Sequence, residues 1–433
     1  MGISNILFIL LLAGGIIFFT INVRKIIRNI NLGKDIDRND NKPLRWKTMA
    51  RVALGQSKMV TRPLAGIMHI FVYVGFVIIN IEVLEIIIDG IFGTHRVFSF
   101  LGSFYNFLIG LFEFLAIATM FGCIVFLIRR NIGRIKRFWS KEMTIWPRSD
   151  ANIILITEIL LMSAFLTMNG CDFLLQQSGH VAKAGAFPIS SLIAILFSGM
   201  NPHSLEMLEK SCWWFHIIGI IAFLNYLPYS KHFHILLAFP NVYYSNLQPK
   251  GEFNNLEAVT NEVKLMFDPN AANAAPPAAP GRFGAKDVTD LTWKQLMDSY
   301  SCTECGRCTS SCPANQTGKL LSPRKIMMDT RKRLEEVGKN LDKNGVPQED
   351  GKSLLGDYIT PEELWACTSC NACVQECPVD IDPLSLIVEM RRFLVMEQSA
   401  APSGLNLMFT NIENNGAPWQ FPPTDRLNWV SEK

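Results

Sequence analysis

The first feature of the chain is a set of long apolar stretches, all of which lie before residue 240. Five of them contain few charges, at about residues 5–23, 63–88, 104–128, 151–175 and 212–238. A helix needs roughly 20 apolar residues to cross the ~30 Å hydrocarbon core of a bilayer. The pattern therefore predicts an all-α domain, residues 1–240, in which a bundle of five helices crosses a membrane.

Basic residues are unevenly distributed among the connections between these stretches. Residues 24–62 carry 11 Lys/Arg against 3 Asp, and residues 129–148 carry seven Lys/Arg. The other two connections carry only Arg96, Lys183 and Lys210. Because basic loops stay on the cytoplasmic side, we expect the N-terminus outside and everything after the fifth stretch in the cytoplasm. The first stretch lacks the basic start of a cleaved signal peptide, so we expect it to remain as an anchor.

Composition agrees with a membrane protein. Charged residues make up 18% of the chain and hydrophobic residues 49%, whereas soluble domains carry about 25% charged residues. The net charge of +3 gives no sign of a nucleic-acid partner, and we expect none.

Eight of the eleven cysteines lie in two short runs after residue 300. Both runs have the spacing C-x2-C-x2-C-x3-C-P, and the second ends at Pro378. The cytoplasm keeps thiols reduced, which favours metal ligation over disulfides. With this spacing, the fourth cysteine of each run binds the other cluster. The predicted ligands of the first [4Fe–4S] cluster are Cys302, Cys305, Cys308 and Cys377, and those of the second are Cys367, Cys370, Cys373 and Cys312.

Zinc is the alternative metal for C-x2-C pairs, but it is commonly bound by two such pairs rather than by three cysteines and a Cys-Pro. Two cubanes in one small domain lie close enough to exchange electrons, so this domain is predicted to conduct them. The remaining cysteines, Cys123, Cys171 and Cys212, are scattered in or near the apolar stretches, where a cysteine is usually a small hydrophobe.

The segments around the two cysteine runs have helical patterns. "SPRKIMM" and "TPEELW" both begin with a capping residue followed by proline, which is a helix start signal. The dicluster motif among helices resembles the α-helical ferredoxin domain of the iron–sulfur subunits of heterodisulfide reductase and succinate dehydrogenase. We assign residues 289–400 to this domain. Residues 241–288 form a polar and Ala/Pro-rich linker that should allow limited relative movement, and residues 401–433 form a tail suited to docking a partner.

Four histidines lie in or beside the apolar stretches: His69, His216, His232 and His234. Polar side chains at such positions usually mark function, and beside an iron–sulfur domain they favour haem ligation. His69 and His234 are predicted at the same cytoplasmic depth, so they can bind one haem b. His216 lies eighteen residues before His234, roughly 27 Å away along a helix, and cannot join the same haem. We expect His232 to lie at the head-group level or to contact a haem propionate.

Five spans with these histidines and "LPYSKHFH" resemble the gamma subunit of nitrate reductase and the membrane cytochrome b subunit of heterodisulfide reductase. The resemblance implies a pair of b haems, with His69 and His234 on one and His216 on the other. In this chain Ile79 stands near the position of the family's remaining histidine. Either the second haem is absent or another residue, such as His95, is the partner of His216.

Carboxylates also occur within the predicted spans: Glu82, Glu85, Glu113 and Glu158. Glu82 and Glu85 are three residues apart and share a helix face. These groups either form a path for protons released by quinol oxidation or only bond neighbouring helices.

Together these resemblances imply that the cytochrome b part and the dicluster iron–sulfur part of heterodisulfide reductase are fused here, in the bacterial cytoplasmic membrane. The expected function is electron transfer in a respiratory chain, between menaquinone or ubiquinone and a cytoplasmic redox partner, through haem b and two [4Fe–4S] clusters. The chain has no CCG motif and no flavin or nucleotide fingerprint, so a CCG-type iron–sulfur or flavin subunit is expected to carry the terminal chemistry. The alternative is a membrane-anchored ferredoxin that acts as a redox sensor or assembly protein, without haem or quinone.

Overall fold

The computed structural model describes residues 2–268 and 282–431. Most of the Ala/Pro-rich part of the predicted linker, residues 269–281, lies outside the described residues. The described parts of the chain are helical and contain no strand, only two isolated β-bridges. The prediction of an all-α protein is therefore confirmed.

The membrane half consists of five long helices with shorter ones between them. The helices up to residue 243 are α1 (Ile3–Ile30), α2 (Lys42–Met49), α3 (Pro63–Phe92), α4 (Ser103–Leu127), α5 (Ile145–Gln177), α6 (Ser190–Ala194), α7 (Pro202–Tyr226) and α8 (His234–Tyr243). Helices α1, α3, α4, α5 and α7 are long and apolar enough to cross a membrane. Helix α5 packs on α7 and α4, α3 packs on α4, and α1 lies against α3 and α7.

The fifth spanning helix differs from its predicted bounds of 212–238. It begins at Pro202, where the side chain of Asn201 accepts a hydrogen bond from the Ser204 amide (2.9 Å), and the span ends at Tyr229. Pro228 cannot continue a regular helix because it lacks an amide proton and its ring displaces the preceding turn. Ser230 is extended, and α8 then starts at His234 as a separate helix.

The iron–sulfur half consists of shorter helices separated by the cysteine runs. After α9 (Glu257–Phe267) they are α10 (Trp293–Ser301), α11 (Arg307–Ser310), α12 (Pro313–Gln316), α13 (Pro323–Asn344), α14 (Pro361–Trp365), α15 (Ala372–Glu376), α16 (Pro383–Met396), α17 (Ser403–Asn415) and α18 (Asn428–Ser431). Helices α13 and α14 begin as predicted. Ser322 caps α13, and Thr360 forms a capping box with Glu363 at α14.

The two halves share one hydrophobic core. Buried residues of α1 (Ile26 and Ile30), Leu227 and Phe233 pack in the same cluster as Leu296 and other residues of the iron–sulfur half. The backbone also joins the halves, because Lys34 donates to Leu291 (2.7 Å) and Trp293 donates to Lys34 (3.0 Å). A shared core of this kind holds the two halves together, because separating them would expose buried apolar surface.

Candidate metal centres at the joint of the two halves

The fold brings cysteines from both runs together in two groups. Cys308 interacts electrostatically with Cys302, Cys305 and Cys377. The second group is formed in the same way by Cys367, Cys370, Cys373 and Cys312. Each group therefore contains three consecutive cysteines of one run and the last cysteine of the other, and the two groups are close enough for Cys308 to interact with Cys373 as well.

The two cysteine runs have the same backbone conformation at equivalent positions. Glu304 and Gly306 have φ of 55° and 70°, and Ser369 and Asn371 have φ of 55° and 60°. Left-handed residues turn the loop sharply, so successive cysteines can face a common centre. Backbone amides also approach the sulfurs in the second run: Ser369 donates to Cys367 Sγ (3.4 Å).

The chemistry of these groups fits iron–sulfur clusters. Burial raises the pKa of Cys302 to about 11 and that of Cys373 to about 12, so buried thiols without a metal would be protonated. A metal removes these protons because the thiolate is its ligand. Each group offers four thiols and amide donors, which is what a cubane with amide-to-sulfur hydrogen bonds requires.

A buried charge network fixes the first cysteine run to the membrane half. The Glu304 carboxylate accepts hydrogen bonds from Lys231 and from Arg331, and Lys231 also donates to the Pro147 carbonyl (2.6 Å). Burial alone would raise the pKa of Glu304, but Arg331 and Lys231 together lower it below its usual value. Sequence reasoning did not find this network, because Lys231 and Glu304 are 73 residues apart.

Three histidines, His69, His232 and His234, lie together near Arg307 of the first cysteine run. The rings of His232 and His234 are 5.5 Å apart, and both interact electrostatically with His69. His232 also packs against Phe223 at 5.3 Å. The structure therefore places His232 in the same group as His69 and His234 rather than on a separate side.

The nitrogen atoms of this histidine group are available for a metal. His69 Nδ1 is buried without a hydrogen-bond partner. His234 Nδ1 bonds the Lys231 carbonyl (3.1 Å), which orients the ring and leaves Nε2 free, as second-shell bonds do in metal-binding histidines. Burial lowers the pKa of His232 to about 3 and also lowers that of His234. These rings are neutral near pH 7, which is the form that binds haem iron.

The loop before α3 joins the first cysteine run to the helix that carries His69. Arg307, next to Cys308, donates to the carbonyls of Lys58 (2.8 Å) and Met59 (3.3 Å). Lys58 donates in turn to the Cys377 carbonyl (3.2 Å). The α3 helix that starts just after this loop carries His69, which interacts electrostatically with Arg307.

His216 and His95, the predicted candidates for a second haem, are not brought together. His216 is buried in the middle of α7, where its Nδ1 bonds the Leu161 carbonyl (2.9 Å). His95 lies beyond the end of α3, half-exposed and 3.8 Å from Asp172. Glu209 interacts with Asp172 from α7, and His216 is seven residues further along this helix, roughly 10 Å deeper.

Three of the four predicted carboxylates lie in one polar region, in the half of the bundle away from the iron–sulfur half. Glu85 accepts a hydrogen bond from Tyr105 (2.9 Å), and Asn169 donates to Glu113 (3.3 Å). Glu82 is buried there with one oxygen unpartnered. Glu158, by contrast, makes no contact with these three within the described residues.

The centre of this polar region is Arg96, which sequence reasoning treated only as a loop charge. Its guanidinium donates to Asp172 (2.6 Å), Asn169 (2.9 Å) and Tyr105 (3.1 Å). The available sequence signal was the set of polar residues in α5, Asn169, Asp172 and Gln176, within an apolar helix.

The fold and the cysteine groups define a helical protein with membrane-spanning helices and a [4Fe–4S] dicluster domain. Residues 301–381 match the family described as the 4Fe-4S dicluster domain. No solved structure matches the chain.

Two curated relatives align with nearly the whole chain. A probable iron-sulfur-binding oxidoreductase, FadF, of Bacillus subtilis is 28% identical over 99% of this chain and 61% of its own length. EtfAB:quinone oxidoreductase of Syntrophomonas wolfei is 27% identical over 92% of this chain and 56% of its own length. The chain thus spans about three fifths of the length of these relatives.

A third relative matches over a shorter part. A probable membrane-anchored ferredoxin of Chromohalobacter salexigens is 33% identical over 34% of this chain and 24% of its own length. These similarities support an iron–sulfur, oxidoreductase-like function in electron transfer.

Proposed function

We propose that this chain is a membrane electron-transfer protein that connects a quinone pool, taken to be menaquinone, with a redox partner on the side of the iron–sulfur half. Its proposed resident groups are one haem b and two [4Fe–4S] clusters, which accept and release single electrons when bound. The proposed ligands are those that the sequence predicts: His69 and His234 for haem, and the two groups of four cysteines.

The observation that carries this proposal is that Arg307, within the first cysteine run, bonds the loop that leads into α3, the helix that carries His69. Arg307 and Lys58 bond the backbone on both sides of the joint, so a redox group at His69 would lie beside one at Cys308. Electron transfer needs such short separations, whereas an anchor would have no reason to place histidines there.

The chain's own side chains prepare this site in three ways. The Lys231 carbonyl orients His234, the apolar surroundings keep the imidazoles neutral, and the buried Glu304 network holds the cysteine run against the membrane half. All three functions depend on the backbone between Leu227 and His234, where the fifth span ends.

The names of several relatives support the proposals of a quinone as substrate and of a protein redox partner. One relative is named EtfAB:quinone oxidoreductase, so we propose a quinone as one substrate and a protein of the EtfAB kind as one partner. A CCG-type iron–sulfur or flavin protein is the other partner we propose, since two subunits of heterodisulfide reductases from Methanosarcina are also similar to this chain. The exposed residues Trp419, Phe421 and Trp429 of the tail are the proposed docking surface.

Glu82, Glu85 and Glu113 are proposed as the outer part of a proton path. Charged groups inside a membrane protein are costly and usually functional, and the unpartnered oxygen of Glu82 is free to exchange a proton. Glu158 is the proposed fourth member, although it stands apart from the others.

The test is a pyridine haemochrome assay with iron and labile-sulfide counts on the purified chain. We expect about eight cluster irons per chain, four for each cubane, and one b haem. His69→Ala and His234→Ala should remove the haem and keep the clusters. His203→Ala, at the start of α7, is the matched control and should keep both. If the wild-type chain binds no haem, the proposal is wrong.

A second candidate function is a membrane-anchored ferredoxin without haem or quinone, which the name of the third relative favours. The same assay separates the two functions. About eight cluster irons without haem would support the anchored ferredoxin. A haem lost in His216→Ala as well as in His69→Ala would instead indicate the two-haem form with His216 and an outer ligand such as His95.

A further inference from the structure

A small basic pocket lies where α4 ends and α5 begins, on the side of the iron–sulfur half. Its volume is about 200 Å³. Its lining includes Arg130, Arg148, Asn131, Asn152, Phe138 and Trp139. No part of the proposed electron path uses these residues.

Aromatic rings hold the two arginines of the pocket in place. The Arg130 guanidinium lies 4.6 Å from the Phe138 ring centroid, and that of Arg148 lies 4.8 Å from the Trp139 centroid. The Trp139 indole donates to the Arg130 carbonyl (2.9 Å), which fixes the ring. Arg130 Nε is buried without a hydrogen-bond partner, so the protein leaves a donor unused in this pocket.

The basic side chains of this loop form no close ion pairs within the described residues, although Arg130 is attracted at longer range by Glu304 and Asp150. Residues 129–148 contain seven Lys/Arg, and none of them forms an ion pair with any residue in the described ranges. The one acidic residue of the loop, Glu142, is paired with Arg324 of the iron–sulfur half. An anion from outside the chain would therefore meet guanidinium groups that have no ion-pair partner of their own.

The surroundings of the pocket are apolar and exposed. Ile128, Ile132 and Ile145 are 47%, 78% and 79% exposed, and they flank the pocket at the ends of two spanning helices. Trp146 beside them is also exposed, as is typical of residues at the level of lipid head groups. A ligand that fits both the basic pocket and these apolar side chains has an anionic head and an apolar chain.

We propose that this pocket binds the phosphate head group of an anionic phospholipid from the membrane, with Arg130 and Arg148 on the phosphate and the acyl chains against Ile132 and Ile145. Guanidinium forks bind phosphate oxygens with paired charge-assisted hydrogen bonds, and basic pockets between spanning helices bind lipid head groups. The Arg137 carbonyl accepts a hydrogen bond from Arg324 (2.6 Å), so the lipid would lie beside the joint of the two halves. The site does not rest on the proposed electron-transfer function.

The test is native mass spectrometry of the full chain with its clusters, titrated in detergent with dioleoyl phosphatidylglycerol or dioleoyl phosphatidylcholine. We expect a saturable site for phosphatidylglycerol and none for phosphatidylcholine. Arg130→Gln/Arg148→Gln should weaken phosphatidylglycerol binding about thirtyfold. The matched control, Lys136→Gln/Lys141→Gln, removes the same charge from other positions of the same loop and should leave this affinity unchanged.

Two outcomes would overturn the proposal. Equal losses in both double variants would mean diffuse charge attraction rather than a site. Inorganic phosphate that competes at millimolar concentration would mean a soluble phosphate ligand. Iron content shows whether each variant is folded; if Arg130→Gln/Arg148→Gln loses its clusters, the wild-type titrations with the two lipids and phosphate still decide the question.

Discussion

The two halves of this protein hold their candidate redox groups in different ways. In the iron–sulfur half, six of the eight cysteines are grouped with other cysteines of their own run. Only Cys312 and Cys377 are grouped with the cysteines of the other run. In the membrane half, His69 and His234 come from separate helices that meet at the joint. A local loop defines the first kind of site, whereas helix packing and the end of a span define the second.

This difference determines how each site responds to amino-acid substitutions. Cys302, Cys312 and Cys377 are part of the shared core, so replacing one of them also removes packing contacts there. The histidine group depends on the orientation of α8, which the Lys231 backbone and the Glu304 network maintain. A change far from any histidine in sequence can therefore disturb the membrane site.

The largest effect is expected from replacing Cys377, which is grouped with the cysteines of the first run. Cys377→Ala should lose the cluster held by the first run, about four of eight irons, although it lies in the second run. Iron and labile-sulfide counts, with electron paramagnetic resonance of the reduced protein, check this. Cys212→Ala, a cysteine without a predicted role, should keep all the iron. Loss of the other cluster's signal in Cys377→Ala would contradict the crossed assignment.

The second largest effect is expected from a substitution in the charge network that joins the two halves. Glu304→Gln leaves Lys231 and Arg331 buried without their carboxylate, which should cost about 3–5 kcal/mol and lower the thermal unfolding midpoint. The control is Glu206→Gln, which removes an exposed pair with Lys210 and should hardly change the midpoint, because solvent screens such pairs. Equal midpoints for the two variants at full iron content would show that the network does not hold the joint.

A smaller effect is expected where the backbones of the two halves touch. A Cβ added at Gly33 would lie 2.6 Å from the Trp293 amide nitrogen, so Gly33→Ala should cost about 1–3 kcal/mol by overpacking. Gly14→Ala is the control in α1, because nothing lies within 4 Å of its Cβ. Thermal unfolding of both variants checks this, and a neutral Gly33→Ala would mean that the halves separate easily.

The smallest effect concerns the exposed rim of the joint. Arg28 and Lys25 of α1 pair with Asp342 of α13, and the hydrogen bond from Arg28 lowers the Asp342 pKa. Asp342→Asn should cost about 0.2–1 kcal/mol near pH 7. A lowered folded-state pKa stabilises the fold above the unfolded value of 3.8, and this contribution is lost as pH falls through the folded value. The unfolding difference from wild type should thus begin to shrink below about pH 4, vanish below the folded-state pKa, and be smaller in high salt.

Much of the fold could be predicted because its signals are local. Five apolar stretches identified the five spanning helices, and proline after a capping residue marked the starts of α13 and α14. The start of α7 was missed because residues 202–211 are polar, and its end was missed because apolar residues continue past Pro228.

The sequence by itself determined the helical character, the number of apolar helices and the two cysteine motifs, because a few neighbouring residues encode each of them. Only the tertiary structure decided that His232 joins His69 and His234, that Arg96 bonds Asp172 and its polar neighbours, and that Lys231 bonds Glu304. Such contacts join residues from distant helices. Helix packing and the positions where the spans end determine the depth and the direction of each side chain. Neither can be predicted from the spacing of residues along the sequence.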